Sequence, residues 1–188
     1  MTGLRTVLTA FALAACIASC SSAPVRRPAQ GPDTRTTIEI AFAEENCMSQ
    51  LRGYLTGLKA PRMDSFFAAA LNGLVRCEAY SGLAHIPTAD ITRWLGHASG
   101  RPAQSAIPPL PPELAVKPAN ADDRVPYQRA CVAYMRRYLP ASIARAGDDP
   151  DVAAAFVFNT AEQCDSDAGF ATIAPSDLAA IMQAKHLL

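Results

Sequence analysis

The residues of this chain most able to do chemistry are its cysteines. Four of the six lie well inside the sequence, at Cys47, Cys77, Cys131 and Cys164. A metal or redox site would need a Cys-x-x-Cys motif, or a cysteine three or four residues from a histidine, and the sequence has neither. In an exported chain an even set of cysteines is typical of disulfides. We therefore predict two structural disulfides, no metal site and no cofactor.

The spacing of the cysteines favours one pairing among the three that four cysteines allow. Residues equidistant from the loop of an antiparallel helical hairpin face each other. Cys47 and Cys77 centre on residue 62, inside a predicted loop, and Cys131 and Cys164 centre just before a second predicted helix start. Each pair is therefore placed to cross-link its own hairpin, Cys47 to Cys77 and Cys131 to Cys164.

Other signatures of chemistry are weak. The three histidines have no partner at metal spacing, and DSDAGF at 165–170 departs from a calcium loop in the position of its glycine. The sequence contains no Gly-rich phosphate loop, no G-x-S-x-G and no H-E-x-x-H. An enzyme, most plausibly a cell-wall hydrolase, would need scattered groups converging on a cleft. The groups to inspect in that case are Arg52, Arg136, Asp90 and Asp177.

Three polar residue types recur at matching places in the two halves of the chain. They are Arg52 and Arg136, Tyr54 and Tyr138, and Asn72 and Asn159. They could be structural, with arginine stems covering a helix face and hydroxyl and amide groups satisfied internally. Arginine and tyrosine are also favoured at the centres of protein interfaces, so the same six residues are candidates for binding a partner.

The first 20 residues have the pattern of an export signal, with one cation at Arg5 and an apolar run too short to span a bilayer. The stretch resembles the signal of a bacterial lipoprotein, because LAAC ends at Cys16 and IASC at Cys20. We favour lipidation of Cys20, since a polar, proline-rich sequence follows it, with Cys16 as the alternative. The resemblance implies stable lipid anchoring, and Ser21 points to the outer membrane facing the periplasm.

Apolar residues at helical spacing predict three helices in each half of the remaining chain. In the first half, one helix starts near Ile38 and ends before Pro61, a second is capped by Asp64 and stopped by Gly82, and a third follows Pro87. In the second half, one runs from about Tyr127 to near Pro140, a second starts at Asp149-Pro150 and stops at Gly169, and a third opens at Pro175.

The two halves are copies of one pattern. CMSQLRGYL at 47–55 matches CVAYMRRYL at 131–139, an offset of 84, while later matching residues have an offset of 87. A three-residue insertion in the second hairpin loop explains the change. We predict an all-α fold of two homologous, disulfide-stapled helical units in tandem, each a hairpin plus a short third helix.

The predicted domain organisation follows from these boundaries. It comprises a signal peptide at 1–20, a flexible tether at 21–36, a first unit at 37–98, a proline-rich connector at 99–125 and a second unit at 126–188. Residues 99–126 hold seven of the fifteen prolines, a density that excludes a regular helix and favours extended polyproline II backbone. Whether the two units pack as one domain is open at this point.

The segment from Tyr138-Leu139 to Cys164 resembles the C-terminal part of the Rap/Tai type of periplasmic immunity proteins. The shared pattern is a YL dipeptide followed by a helix that ends in a cysteine. The resemblance implies a small, disulfide-bearing helical protein that neutralises a secreted cell-wall amidase.

Charge and composition exclude a basic nucleic-acid footprint, because 17 basic residues balance 17 acidic ones. We expect a non-enzymatic lipoprotein of the bacterial envelope that contacts the membrane through its lipid and binds a periplasmic or envelope protein. The alternatives are an immunity protein against a cell-wall hydrolase and a cell-wall-acting enzyme.

Overall fold

The computed structural model describes residues 34–60, 62–96, 108–146 and 150–187, and all the regular secondary structure in these ranges is helical. The first unit consists of α1 (Thr37–Gly57), α2 (Met63–Ser81) and α3 (Thr88–Gly96), and the second of α4 (Ala121–Ala146), α5 (Pro150–Ala168) and α6 (Pro175–Ala184). A short 3-10 helix (Pro112–Leu114) lies in the connector. The predicted signal peptide with Cys16 and Cys20, residues 21–33 of the tether, residues 99–107 of the connector, His97 and Asp149 lie outside the described residues.

Local sequence signals begin and end the helices. Thr36 closes a capping box with Glu39 at the start of α1, and Pro175 opens α6. Gly82 and Gly169 end α2 and α5 in the left-handed region, at φ 87° and 79°. The residue after each glycine donates its backbone N–H to the carbonyl five residues back, which completes a Schellman motif in both units. The predicted stops at both glycines are thereby confirmed.

Both predicted disulfides are present. Cys47 is bonded to Cys77 with Cα atoms 5.4 Å apart, and Cys131 to Cys164 with Cα atoms 5.7 Å apart. Each bond joins the two long helices of one hairpin, α1 to α2 and α4 to α5. The all-α, twice-stapled architecture predicted from the sequence is confirmed.

The two hairpins bury their apolar faces against each other. One continuous cluster of buried side chains draws on α1, α2 and α3 of the first unit and on α4, α5 and α6 of the second. Phe67 of α2 meets Phe158 of α5 edge to face, with ring centroids 6.4 Å apart. A helical hairpin alone has little core, so this shared burial is a principal source of stability in both units.

Helix α4 is longer than the sequence predicts at both ends. It begins at Ala121, passes through Pro126 and Pro140, and ends at Ala146. A proline inside a helix removes one hydrogen bond and costs about 3 kcal/mol. Pro126 is exposed, so water can reach the carbonyl that it leaves unbonded, whereas the turns around Pro140 bury Ala141 and Ile143. The expected end near Pro140 is wrong because the apolar pattern continues beyond it.

Two further expectations need correction. Asp64 does not cap α2, which begins at Met63 with Arg62 at the cap position. The Asp64 carboxylate instead accepts the backbone N–H of Ser65 and pairs with Arg62 inside the first turn. The connector is not free of helix, because it holds the 3-10 turn and its last residues belong to α4. Pro111, at φ −68° and ψ 148°, does adopt polyproline II backbone.

Candidate functional site: two homologous grooves and a buried acid cluster

The two repeated arginines join the units to each other. Arg52 of α1 pairs with Asp177 of α6 at 3.1 Å, and Arg136 of α4 pairs with Asp90 of α3 at 2.7 Å. Each arginine of one unit thus meets the aspartate of the other unit, an exchange that a twofold axis between homologous units produces. The four residues proposed as groups to inspect for catalysis therefore lie in two intramolecular ion pairs.

The two repeated tyrosines have different surroundings. Tyr138 is partly buried, stacks against Tyr134 with ring centroids 4.9 Å apart, and hydrogen-bonds Thr160. The positions in the first unit that match these two neighbours hold Gln50 and a glycine. Tyr54 therefore lacks both contacts and is 54 % exposed. The internal role suggested for the tyrosines fits Tyr138 and does not fit Tyr54.

The exposed ring of Tyr54 lies in a groove between α1 and α2, beside the Cys47–Cys77 disulfide. We call this the first groove, and its volume is about 750 Å³. Its lining residues are Cys47, Gln50, Leu51, Tyr54, Ala69, Asn72, Gly73, Arg76 and Cys77. Within the described ranges, the side chains of Gln50, Asn72 and Arg76 have no hydrogen-bond or ion-pair partner. Three unpaired polar groups and an exposed ring on an apolar floor are the composition of a binding surface.

Gly73 keeps α1 and α2 close along the floor of the first groove. A Cβ atom placed on Gly73 would lie 2.1 Å from Leu51 Cδ1, so any larger residue would displace the leucine. The matching residue in the second unit is Thr160, whose hydroxyl donates to the carbonyl of Phe156 at 2.7 Å and can accept a hydrogen bond from Tyr138. Exchange of threonine for glycine therefore lets Leu51 pack against the α2 backbone and leaves Tyr54 without the partner that Tyr138 has.

A homologous groove lies between α4 and α5 and is covered by the connector. This second groove has a volume of only about 220 Å³, and seven of its lining residues match residues of the first groove. They are Cys131, Tyr134, Met135, Tyr138, Thr160, Gln163 and Cys164. Leu110 and Leu114 of the connector complete the lining. The chain itself thus occupies the surface that the first unit leaves open.

The candidate residues from the sequence divide unequally between the grooves. Tyr54 and Asn72 come together in the first groove, while Arg52 lies outside its lining. In the second unit Tyr138 lines the covered groove, and Asn159 is exposed without lining it. Gln50 and Arg76 were not predicted from the sequence. Alignment of the units could have indicated them, because their counterparts, Tyr134 and Gln163, are of different chemical types.

A second feature that sequence analysis missed is a cluster of four buried carboxyl groups, from Glu44 of α1, Glu78 of α2, and Glu162 and Asp165 of α5. None has more than 7 % of its surface exposed. Three of them accept hydrogen bonds, Glu44 from Ser81 Oγ, Asp165 from Gln128 Nε2 and Glu162 from the backbone N–H of Ile173. The signal was present in the sequence, since Glu44 stands four residues from both Ile40 and Met48 on the buried stripe of α1.

Burial raises the pKa of every carboxyl in the cluster, because an apolar interior disfavours the charged form. The pKa of Glu44 rises to about 7, that of Asp165 to about 7 and that of Glu162 to about 8. Burial, and next the negative charge of Asp165, raise the pKa of Glu78 well above its ordinary value. The protonated carboxyl of Glu78 also donates a hydrogen bond to the carboxylate of Asp165, so the proton stays on Glu78. The cluster therefore holds protons at neutral pH.

The chemistry open to this cluster is proton storage. A substrate could reach the four carboxyls only by displacing the helices that cover them. Within the described ranges no three histidine, cysteine or acidic side chains are placed to hold a metal ion, and no helix is long and apolar enough to cross a membrane. The first groove is accordingly the better candidate for an external ligand.

Comparisons of the chain with known protein families, with curated proteins and with solved structures found no match. The assignment of a function therefore depends on the geometry of its own residues.

Proposed function

We propose that this chain is a non-enzymatic lipoprotein of the bacterial cell envelope that binds another protein through its first groove. Lipidation of Cys20 would anchor it, most simply in the outer membrane with the helical units facing the periplasm. The observation that carries the binding role is the difference between the grooves. The chain covers one with its own connector and leaves the homologous one open.

The first groove has the size and chemistry of a contact for a protein segment. Tyr54 offers a rigid ring of which about half is exposed, and tyrosine is enriched among the residues that dominate binding energy. Gln50 and Asn72 supply donors and acceptors for a peptide backbone, and Arg76 supplies a cation. The repeated arginines, Arg52 and Arg136, form ion pairs between the units and lie outside the lining of the first groove.

A photo-cross-linker placed in the groove tests this function directly. We would replace Asn72 with p-benzoylphenylalanine in the full chain in living cells, and place the same group at Asn159, the matching position of the second unit, as the control. The expected result is one specific adduct at position 72 that is missing at position 159. No adduct at position 72, or equal adducts at both positions, would contradict the proposal.

The identity of the cross-linked protein separates the two functions within this class. A resident envelope component would assign the chain to envelope assembly. A secreted cell-wall hydrolase would assign it to immunity, the function implied by the resemblance of the segment from Tyr138 to Cys164.

A further inference from the structure

We infer that the first groove binds a proline- and leucine-containing segment of the partner protein that carries an acidic side chain at its end nearest Arg76. This inference rests on the proposed function and names the chemistry of the ligand. We infer the chemistry of this ligand from the connector, which occupies the homologous groove of the second unit.

The second groove shows how this surface holds a proline- and leucine-containing segment. Tyr134 donates its hydroxyl hydrogen to the carbonyl of Pro108 at 2.9 Å, so the segment is held by its backbone. Leu114 inserts its side chain between the units and is 7 % exposed, while Leu110 lies over the groove. Pro111 has polyproline II backbone, and Leu114 lies at the end of the 3-10 turn Pro112–Leu114 that follows it.

The first groove retains the parts of this arrangement that contact a ligand. Gln50 occupies the position of Tyr134, and its side-chain amide can donate to a backbone carbonyl in the same way. Tyr54 replaces Tyr138, with its ring free to pack on proline or leucine. Gly73 stands in place of Thr160, and Leu51 fills the space of the missing side chain, so the floor of the first groove is apolar here.

Charge distinguishes the ligand of the first groove from the connector. In the second unit Lys117 of the connector pairs with Asp167 at 2.7 Å, and Asp167 also accepts a hydrogen bond from Gln163. The first unit has Arg76 in place of Gln163 and Tyr80 in place of Asp167. The acidic anchor is thus replaced by a cation with no partner among the described residues, so a matching ligand carries an acid where the connector has Lys117.

Two peptides test this inference on the full chain, oxidised and held in detergent. One is the connector sequence PPLPPELAVK, residues 108–117, and the other is PPLPPELAVE, which exchanges the terminal lysine for glutamate. Fluorescence anisotropy of the labelled peptides measures their affinity. We expect the glutamate peptide to bind at least fivefold more tightly, and the variant Arg76→Glu to reverse that preference. The control Arg137→Glu makes the same charge change on exposed α4 surface outside both groove linings and should leave the preference unchanged.

The outcomes separate this inference from the function on which it rests. If neither peptide shows saturable binding at millimolar concentration, or if Arg76→Glu leaves the preference as it was, the ligand chemistry is wrong. A specific adduct at position 72 in that case keeps the protein-binding function and overturns only the peptide. Absence of both the adduct and the peptide binding would overturn both.

Discussion

The buried acid cluster makes the stability of this protein depend on pH in an unusual direction. For Glu44 the folded-state pKa is about 7 and the ordinary value 4.5, so the folded state binds the proton more tightly than the unfolded state does. Its contribution to stability is complete below about pH 4.5 and is lost as the pH rises to about 7. We therefore expect the wild-type chain to be more stable at pH 5 than at pH 8.

The size of this effect for a single carboxyl follows from the pKa difference. One unit of pKa corresponds to about 1.4 kcal/mol, so the shift of Glu44 from 4.5 to about 7 corresponds to about 3 kcal/mol. Glu78, Glu162 and Asp165 face Glu44 from α2 and α5, and their raised pKa values also make the folded state more stable at low pH. Because their charges interact, the four contributions to the free energy of unfolding do not simply sum.

The variant Glu44→Gln isolates one titrating group. Glutamine already occupies the matching position of the second unit, Gln128, where it hydrogen-bonds Ala84 and Asp165. The amide stays neutral at every pH. Between pH 5 and pH 8 the free energy of unfolding should therefore fall by about 3 kcal/mol less in the variant than in the wild type. Urea unfolding followed by circular dichroism, with disulfides intact, would show this as a difference in midpoint shift of at least about 1 M.

The matched control is Glu45→Gln, which makes the same chemical change at the exposed neighbouring residue. It should reproduce the wild-type pH dependence. A wild-type chain whose stability is constant or rises between pH 5 and pH 8 would refute the reasoning. Equal pH slopes for wild type and Glu44→Gln would refute the role given to Glu44.

Three further sets of substitutions have defined outcomes. Cys77→Ala removes a cross-link with a sequence separation of 30 and should lower the free energy of unfolding by about 3 to 4 kcal/mol. Peptide mapping of the wild type under non-reducing conditions should recover Cys47 joined to Cys77. Arg52→Ala should cost less than about 1 kcal/mol, since its ion pair with Asp177 is half exposed, and a double-mutant cycle with Asp177→Ala measures the coupling. Gly82 has φ 87°, so Gly82→Ala should destabilise the chain by about 1 kcal/mol or more. Gly53 lies in open space on α1, so Gly53→Ala should stabilise the chain by about 0.5 kcal/mol. Thermal melts of the two variants measure the difference.

Local physics made much of the fold predictable from the sequence. The 3.6-residue period fixes which face of each helix is buried, and the hairpin geometry then leaves each cysteine opposite its partner. The run of α4 through Pro126 and Pro140 was not predictable in this way. Local propensity favours a stop at proline, and only the packing of both units against each other supplies the burial that offsets it.

The candidate site was predictable only in part. Repetition indicated Tyr54 and Asn72, because they stand out as polar residues kept at matching places. It gave equal weight to Tyr138 and Arg136, which the fold uses internally. What separates the grooves is a difference between the copies, at Gln50, Gly73 and Arg76, and the covering of one groove by a distant segment. Periodicity carries no information about such long-range contacts.

The tandem arrangement also allows an interior that an assembly of identical chains could not build. A homodimer must place the same residue on both sides of its axis. Glu44 repeated across such an axis would set a further acid against Glu78 and Asp165, which already face each other from matching positions. In a single chain the second copy can have a different residue at this position, and here it has Gln128, which donates a hydrogen bond to Asp165. Fusion of the two copies therefore permits a buried polar centre whose donors and acceptors are complementary.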